Sequence, residues 1–128
     1  MCPVYINRIA SIHAESSNEK PYFSAQEPDY KEMITNANLR RRMSRMIKMG
    51  VACGLECLKD IPSEKVDAII TATGLGCLAD TEKFMNALMD NREQMLNPTA
   101  FIQSTFNTVG AQIALLLKIH AYNVTYVH

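Results

Sequence analysis

No apolar run in this chain of 128 residues approaches the ~20 residues that a helix needs to cross a bilayer, so no membrane span is expected. The opening MCPVYINRIASIHAESS has neither a basic leader nor a long apolar stretch; it does not read as a secretory signal, and a cytoplasmic location is the expectation. Cys2, Cys53, Cys57 and Cys77 form no C-x-x-C pair, and the three histidines lie far from them in sequence. That spacing argues against a zinc site. Cys53 and Cys57 are four apart in a predicted helix, where side chains share a face without easily meeting disulfide geometry, so buried, reduced thiols are expected. Net charge is missing too, with 13 basic residues balancing 13 acidic ones. Neither an internal repeat nor a low-complexity tract occurs.

What is present is ordinary for a soluble globular domain: 48% apolar residues and 20% charged. The length suits one domain, burying ~65–70% of the surface its unfolded chain would expose. The zero net charge hides an asymmetry. Arg40, Arg41, Arg42, Arg45 and Lys48 form a cationic cluster, and no acidic residue occurs between Met33 and Leu55. An anionic partner fits such a cluster. Nucleic acid would call for a broader basic surplus and interleaved aromatics or a known reading motif, so a small acidic protein fits better than a duplex. The competing account is a solvated helix face with scattered ion pairs.

Along the chain, PVYINRIASIHA alternates β-branched and aromatic residues and predicts a strand. Residues 15–37 read as an irregular loop insertion with a short helical turn from Tyr30 to Thr35. From Asn38, taken as the N-cap, Leu39, Met43, Met46, Ile47, Val51, Cys57 and Leu58 recur at helical spacing and predict one long amphipathic helix, ended by Pro62. VDAIITATGLG is a nearly continuous apolar run closing in glycines, the form of a strand buried on both faces of a parallel or mixed sheet. Asp80 or Thr81 is the expected cap of the following helix, with Asn91 near its end. Pro98 opens the next one. Its stripe of Ile102, Phe106, Val109, Ile113 and Leu116, and a single charge, Lys118, between Gln94 and His128, predict a helix buried almost all round. NVTYVH is the last strand. The order strand, helix, strand, helix, helix, strand predicts an α/β architecture.

The chemistry-bearing motifs are few. TGLGCL lacks the lysine and hydroxyl of a Walker loop and the third glycine of a dinucleotide fingerprint, so a tight strand-to-helix turn is the better account. Cys77 at a helix start has the place of an activated thiol but no histidine near it in sequence. His13, His120 and His128 share no helix face and form no triad pattern with a serine or carboxylate. The eight methionines sit mostly at core-like helical positions and are taken as packing.

Three pieces, in this order and spacing, resemble the β-ketoacyl synthase family of condensing enzymes. RRRMSRMIKMGVACGLECLKD is similar to its first long helix, DAIITATGLGCL to its strand and glycine turn, and NPTAFIQSTFNTVGAQIALLLKIHAYNVTYVH to its buried helix and following strand. The branch most resembled is the divergent synthase-like set of aryl-polyene and flexirubin-type pathways. The resemblance implies that residues 1–128 are the N-terminal part of a thiolase-like fold, a mixed sheet with a buried helix. It implies action on acyl carrier protein-bound chains in fatty acid, polyketide or polyene synthesis, with no cofactor and no metal. The chain departs from the family pattern at Ala121 and Tyr122, where Gly-Pro is common, at Cys77, where glycine is common, and at Arg8 and Ser11 in a usually glycine-rich first strand.

Site residues follow from the resemblance alone. Arg41, Arg42, Arg45 and Lys48 resemble the basic helix face that receives the acidic carrier protein. Thr105 and Phe106 resemble positions beside the acyl pocket, where side-chain bulk gates chain length across a dimer. Residues 124–128 resemble the strand that pairs across the two-fold axis, implying a homodimer or a heterodimer with a ketosynthase subunit. In the family that strand leads into the nucleophilic cysteine, which would fall about two residues past His128 at a helix start that favours thiolate. The 128 residues are therefore expected to have no catalytic residue of their own. The alternative implied is a non-catalytic partner that shapes the pocket of an active synthase.

Overall fold

The computed structural model describes residues 3–14 and 25–128. Four-residue α1 (Tyr30–Met33) is capped by Asp29, whose carboxylate accepts from the Lys31 N–H. The Asn36 side chain accepts from the N–H groups of Asn38 and Leu39 and starts α2 (Ala37–Arg42). The chain then turns extended at Met43 and Ser44 before α3 (Arg45–Cys57). After a 3-10 turn at Ser63–Lys65 come β1 (Ala68–Thr73), α4 (Leu78–Asp90), α5 (Pro98–Ser104), α6 (Thr108–Leu117) and β2 (Tyr122–Val127). β1 and β2 pair in parallel, from Ala68 opposite Tyr122 to Thr73 opposite Val127. Parallel pairing needs a long crossover, which α4 to α6 supply.

The core gathers Ile34, Met43, Ile47, Val51, Ile69, Cys77, Ile113 and Ile119. Helix α6 sits against both α3 and the two strands. Close approach there depends on small residues. A Cβ on Gly54 would lie 2.5 Å from Ile113 Cδ1, one on Gly50 2.8 Å from a Val109 methyl, and one on Gly110 2.8 Å from Asn123 Oδ1. Away from this contact, Phe84 of α4 and Phe101 of α5 meet at 5.5 Å between ring centres, within the range of favourable aromatic pairs.

Several sequence expectations are corrected. Residues 3–14 form no strand; among the described residues their one ladder contact is an isolated bridge between Ala14 and Ala25. Alternation marks a chain able to pair, but among the described residues nothing pairs with Val4, Tyr5, Ile6 and Ile9, and Val4 is 96% exposed. The segment is held instead by Arg8, whose guanidinium donates to the carbonyls of Glu56 and Lys59 at 3.2 and 2.7 Å and so caps the end of α3. The single helix expected from Asn38 is two helices. Its cap is Asn36, two residues earlier, and the break at Met43 and Ser44 lets Met43 and Ile47 both enter the core beside Ile34.

Helix α4 begins at Leu78 with Cys77 at the cap position, not at Asp80 or Thr81. The long buried helix is also two, α5 and α6, at 108° to each other. The hydroxyls of Thr105 and Thr108 both donate to the Ile102 carbonyl, taking up the end of α5 and fixing the bend. Nor is this pair buried all round, since Phe101, Ile102, Phe106 and Leu115 are half exposed or more. Among the described residues β1 is covered on one face only, with Ile69 buried and Ile70 66% exposed. Tyr122 and Tyr126, in register with Ala68 and Ala72, are exposed as well. The part of the expected loop at residues 15–24, and Cys2, lie outside the described residues. Among the described residues no single helix is long and apolar enough to cross a membrane, although α5 and α6 together, sharply bent, have the length and composition.

Candidate functional site

The turn between β1 and α4 builds one wall of a cavity of about 340 Å³, at the small end of the range for ligand pockets. Thr73 Oγ1 accepts from the Gly76 N–H at 2.9 Å and closes the turn, and Gly76 adopts φ +61°, which suits glycine. The other walls come from Met46 and Gly50 of α3, Val109 and Ile113 of α6, and Phe106 in the break between α5 and α6. The polar lining is three threonine hydroxyls from the strands, of which Thr71 and Thr125 hydrogen-bond each other at 2.6 Å. With the threonines largely engaged among themselves and the turn, the space suits an apolar group.

Cys77 lines the same cavity and is 6% exposed. Burial pushes its thiol pKa up, and the neighbouring Asp80 carboxylate adds to the effect. Asp80 lies in the first turn of α4, 8% exposed, where the helix dipole favours a negative charge. The thiol is thus held protonated, the reverse of what a nucleophilic cysteine requires. None of the three histidines lines the cavity. Among the described residues no group of three His, Cys, Asp or Glu side chains is placed to hold a metal.

The predicted pair Thr105 and Phe106 divides. Phe106 is at the cavity, 50% exposed, with its ring against Gly76. Thr105 instead donates to Ile102 O at 2.8 Å and helps to set the bend that aims Phe106. The sequence signals missed were Gly76, legible only as a turn glycine, and Thr108, 2% exposed, whose hydroxyl is legible only once the helix break is known.

The cationic cluster is split by the break between α2 and α3. Arg40, Arg41 and Arg42 occupy the last turn of α2, where cations oppose the negative helix end. Arg40 is turned inward to the Ile34 carbonyl, and Arg41 donates to Asn38 Oδ1 at 2.6 Å. Arg45, on α3, pairs with Glu27 at 2.5 Å. Hydrogen bonds from Tyr30 first and Arg45 second hold the Glu27 carboxyl below its ordinary pKa. Among the described residues, Arg41, Arg42 and Lys48 have no carboxylate within 4.0 Å. A second hollow of about 490 Å³ also borders α3, edged by Glu27, Asp29, Glu32, Glu56 and Cys53.

Comparison with known proteins places this geometry. The family profile of the β-ketoacyl synthase N-terminal domain matches residues 13–125. No curated protein sequence matches at a significant level. Among solved structures, a chain from Xenorhabdus doucetiae, described as a ketosynthase (ApeO) in complex with its chain length factor (ApeC), matches with a TM-score of 0.61 and 22% sequence identity. The alignment covers 88% of this chain and 43% of that one, so this chain spans less than half of its length. At that identity the likeness is one of fold, and it agrees with the expected α/β, thiolase-like architecture.

Proposed function

The chain belongs to the β-ketoacyl synthase N-terminal domain family, and from that premise we propose that it is the N-terminal part of a synthase-like protein acting on acyl chains carried by acyl carrier protein, in fatty acid, polyketide or polyene synthesis. The observation that carries the proposal is the apolar cavity behind Phe106, with Gly76 and Cys77 on its wall. An acyl tail entering it would gain roughly 0.8 kcal/mol for each methylene removed from water. Arg41 and Arg42, free of carboxylates among the described residues, would meet the acidic carrier, with Lys48 and the already paired Arg45 in supporting places. Such charges act mainly on the encounter rate and on specificity. The role of Phe106 is to limit the tail by bulk, and that of Thr105 is to hold the bend behind it.

Family chemistry is acyl transfer to a cysteine thiolate followed by decarboxylative Claisen condensation. The one cavity thiol, Cys77, is held protonated, so no step of that chemistry is assigned to it. A second proposal is a chain-length-factor-like subunit that shapes the pocket of a ketosynthase partner in a heterodimer. What favours it is that a structure resembling this chain is described as a ketosynthase in complex with its chain length factor.

The test is binding to an acyl carrier protein across a salt series, wild type against Arg41→Glu/Arg42→Glu. Expected is binding that weakens with salt and is lost in the double variant. A folded wild-type chain that binds no carrier protein at low salt overturns the carrier-facing proposal. Acyl transfer onto the complete protein, or its absence alongside stimulation of a ketosynthase partner, separates the two readings.

A further inference from the structure

We infer that Gly76 is a specificity-determining residue: it forms the seat for the Phe106 ring, and the missing side chain at position 76 sets how far an acyl tail enters the cavity. This rests on the acyl-chain reading above and deepens it. A Cβ built on Gly76 would lie 2.6 Å from Phe106 Cδ1 and 2.9 Å from Cε1, distances that real Cβ atoms do not tolerate. The ring therefore lies in space that exists because position 76 has no side chain. Phe106 is free to respond, since it sits outside both helices in the break after Ser104, and half of its surface faces solvent. Ring and glycine line the same cavity. A side chain at 76 must push the ring off its seat and change the length of the cavity behind it.

The other glycine of the turn supplies the control. A Cβ on Gly74 would meet only the His128 carbonyl oxygen, at 3.6 Å, an ordinary contact. Gly76 has φ +61°, so alanine there also strains the backbone. Asparagine tolerates that region better and still carries a Cβ. The variants are thus Gly76→Asn, Gly76→Ala, Phe106→Ala, Gly76→Asn/Phe106→Ala and Gly74→Ala, each checked for folding by circular dichroism.

Two readouts are needed. The first is calorimetric binding of straight-chain acyl N-acetylcysteamine thioesters from butyryl to dodecanoyl. In wild type, affinity should stop rising partway along the series. Gly76→Asn and Phe106→Ala should each change affinity for the longest chains by about tenfold, the double variant should match Phe106→Ala, and Gly74→Ala should follow wild type. That non-additivity is the signature of two residues acting as one unit. The second is the fluorine resonance of Phe106 in 4-fluorophenylalanine-labelled chain, assigned by its loss in Phe106→Leu. It should move in Gly76→Asn and stay put in Gly74→Ala.

A folded Gly76→Asn with the wild-type chain-length profile, or additive effects in the double variant, overturns the inference. If wild type binds no thioester of any length, the acyl-chain proposal is what fails. The seat then stands or falls on the fluorine shift, and an unmoved Phe106 resonance in Gly76→Asn ends it.

Discussion

Replacing Gly54 with alanine sets two effects of known size against each other at the α3 to α6 contact. In a helix interior, alanine is favoured over glycine by about 1 kcal/mol. The new Cβ, however, would lie 2.5 Å from Ile113 Cδ1 and 3.0 Å from Cγ1. Ile113 is buried in the core cluster, so only a move toward the neighbouring cavity could relieve the contact. Overpacking of this kind costs about 1–3 kcal/mol. The net expectation is a loss of about 1 kcal/mol, or about 4 °C in Tm for a domain of this size, read by urea and thermal denaturation with far-ultraviolet circular dichroism. Ile113→Val removes the nearest methyl and alone should cost about 1 kcal/mol. In the Gly54→Ala background it should cost markedly less, because it relieves the clash. A Gly54→Ala protein more stable than wild type by the full helix-propensity gain, with additive behaviour in the double variant, would refute the close packing.

Two further outcomes follow from the local geometry. Asn36→Ala should cost about 1 kcal/mol, because the Asn36 side chain accepts from two otherwise unpaired N–H groups. Asn38→Ala should cost clearly less, since its side chain only accepts from the exposed Arg41; equal losses in denaturation would put the cap elsewhere. Burial raises the pKa of both Cys77 and Cys53. The folded state therefore binds more thiol protons than the unfolded one above the ordinary thiol pKa of about 8.5, and stability should fall as pH rises through that value. Cys77→Ala should flatten the fall and Cys53→Ala/Cys77→Ala should flatten it further; an unchanged slope in denaturation midpoints from about pH 8 to 9.5 would contradict the assignment.

Much of the chain was legible because its signals are local. The strand at Ala68–Thr73, the turn glycines, Pro98 at the head of a helix and the final strand all emerge where residue pattern alone places them. The errors share a cause as well. Helical spacing runs unbroken through Met43 and Ser44 and through Thr105 to Asn107, so apolar periodicity could not show that the chain turns there. At the first break Ser44 is extended at φ −69°, ψ 171°, with no cap from its hydroxyl; the second is made by hydrogen bonding, with Thr105 and Thr108 capturing the Ile102 carbonyl. Short polar side chains compete with the helical ladder in this way. The cap at Asn36 rather than Asn38 is the same kind of miss, two asparagines two residues apart with only geometry to choose between them.

The strands show a different limit, because a strand's sequence records the surroundings it is suited to. Ala68, Ile69, Ile70 and Ala72 form a run fit for cover on both faces, yet only the face bearing Ile69 is buried by the described residues. The same holds for Val4, Tyr5, Ile6 and Ile9, which alternate as a paired strand would and are exposed. Apolar surface left open this way is the usual mark of a surface that meets another. With Ile70, Tyr122 and Tyr126 together on one outer sheet face, that surface is continuous. The candidate site lies on the opposite side of the same strands, where Thr71, Thr73 and Thr125 line the cavity. The two strands thus carry both surfaces, one face lining the cavity and the other left open by the described residues, and the turn that holds Gly76 follows directly on β1.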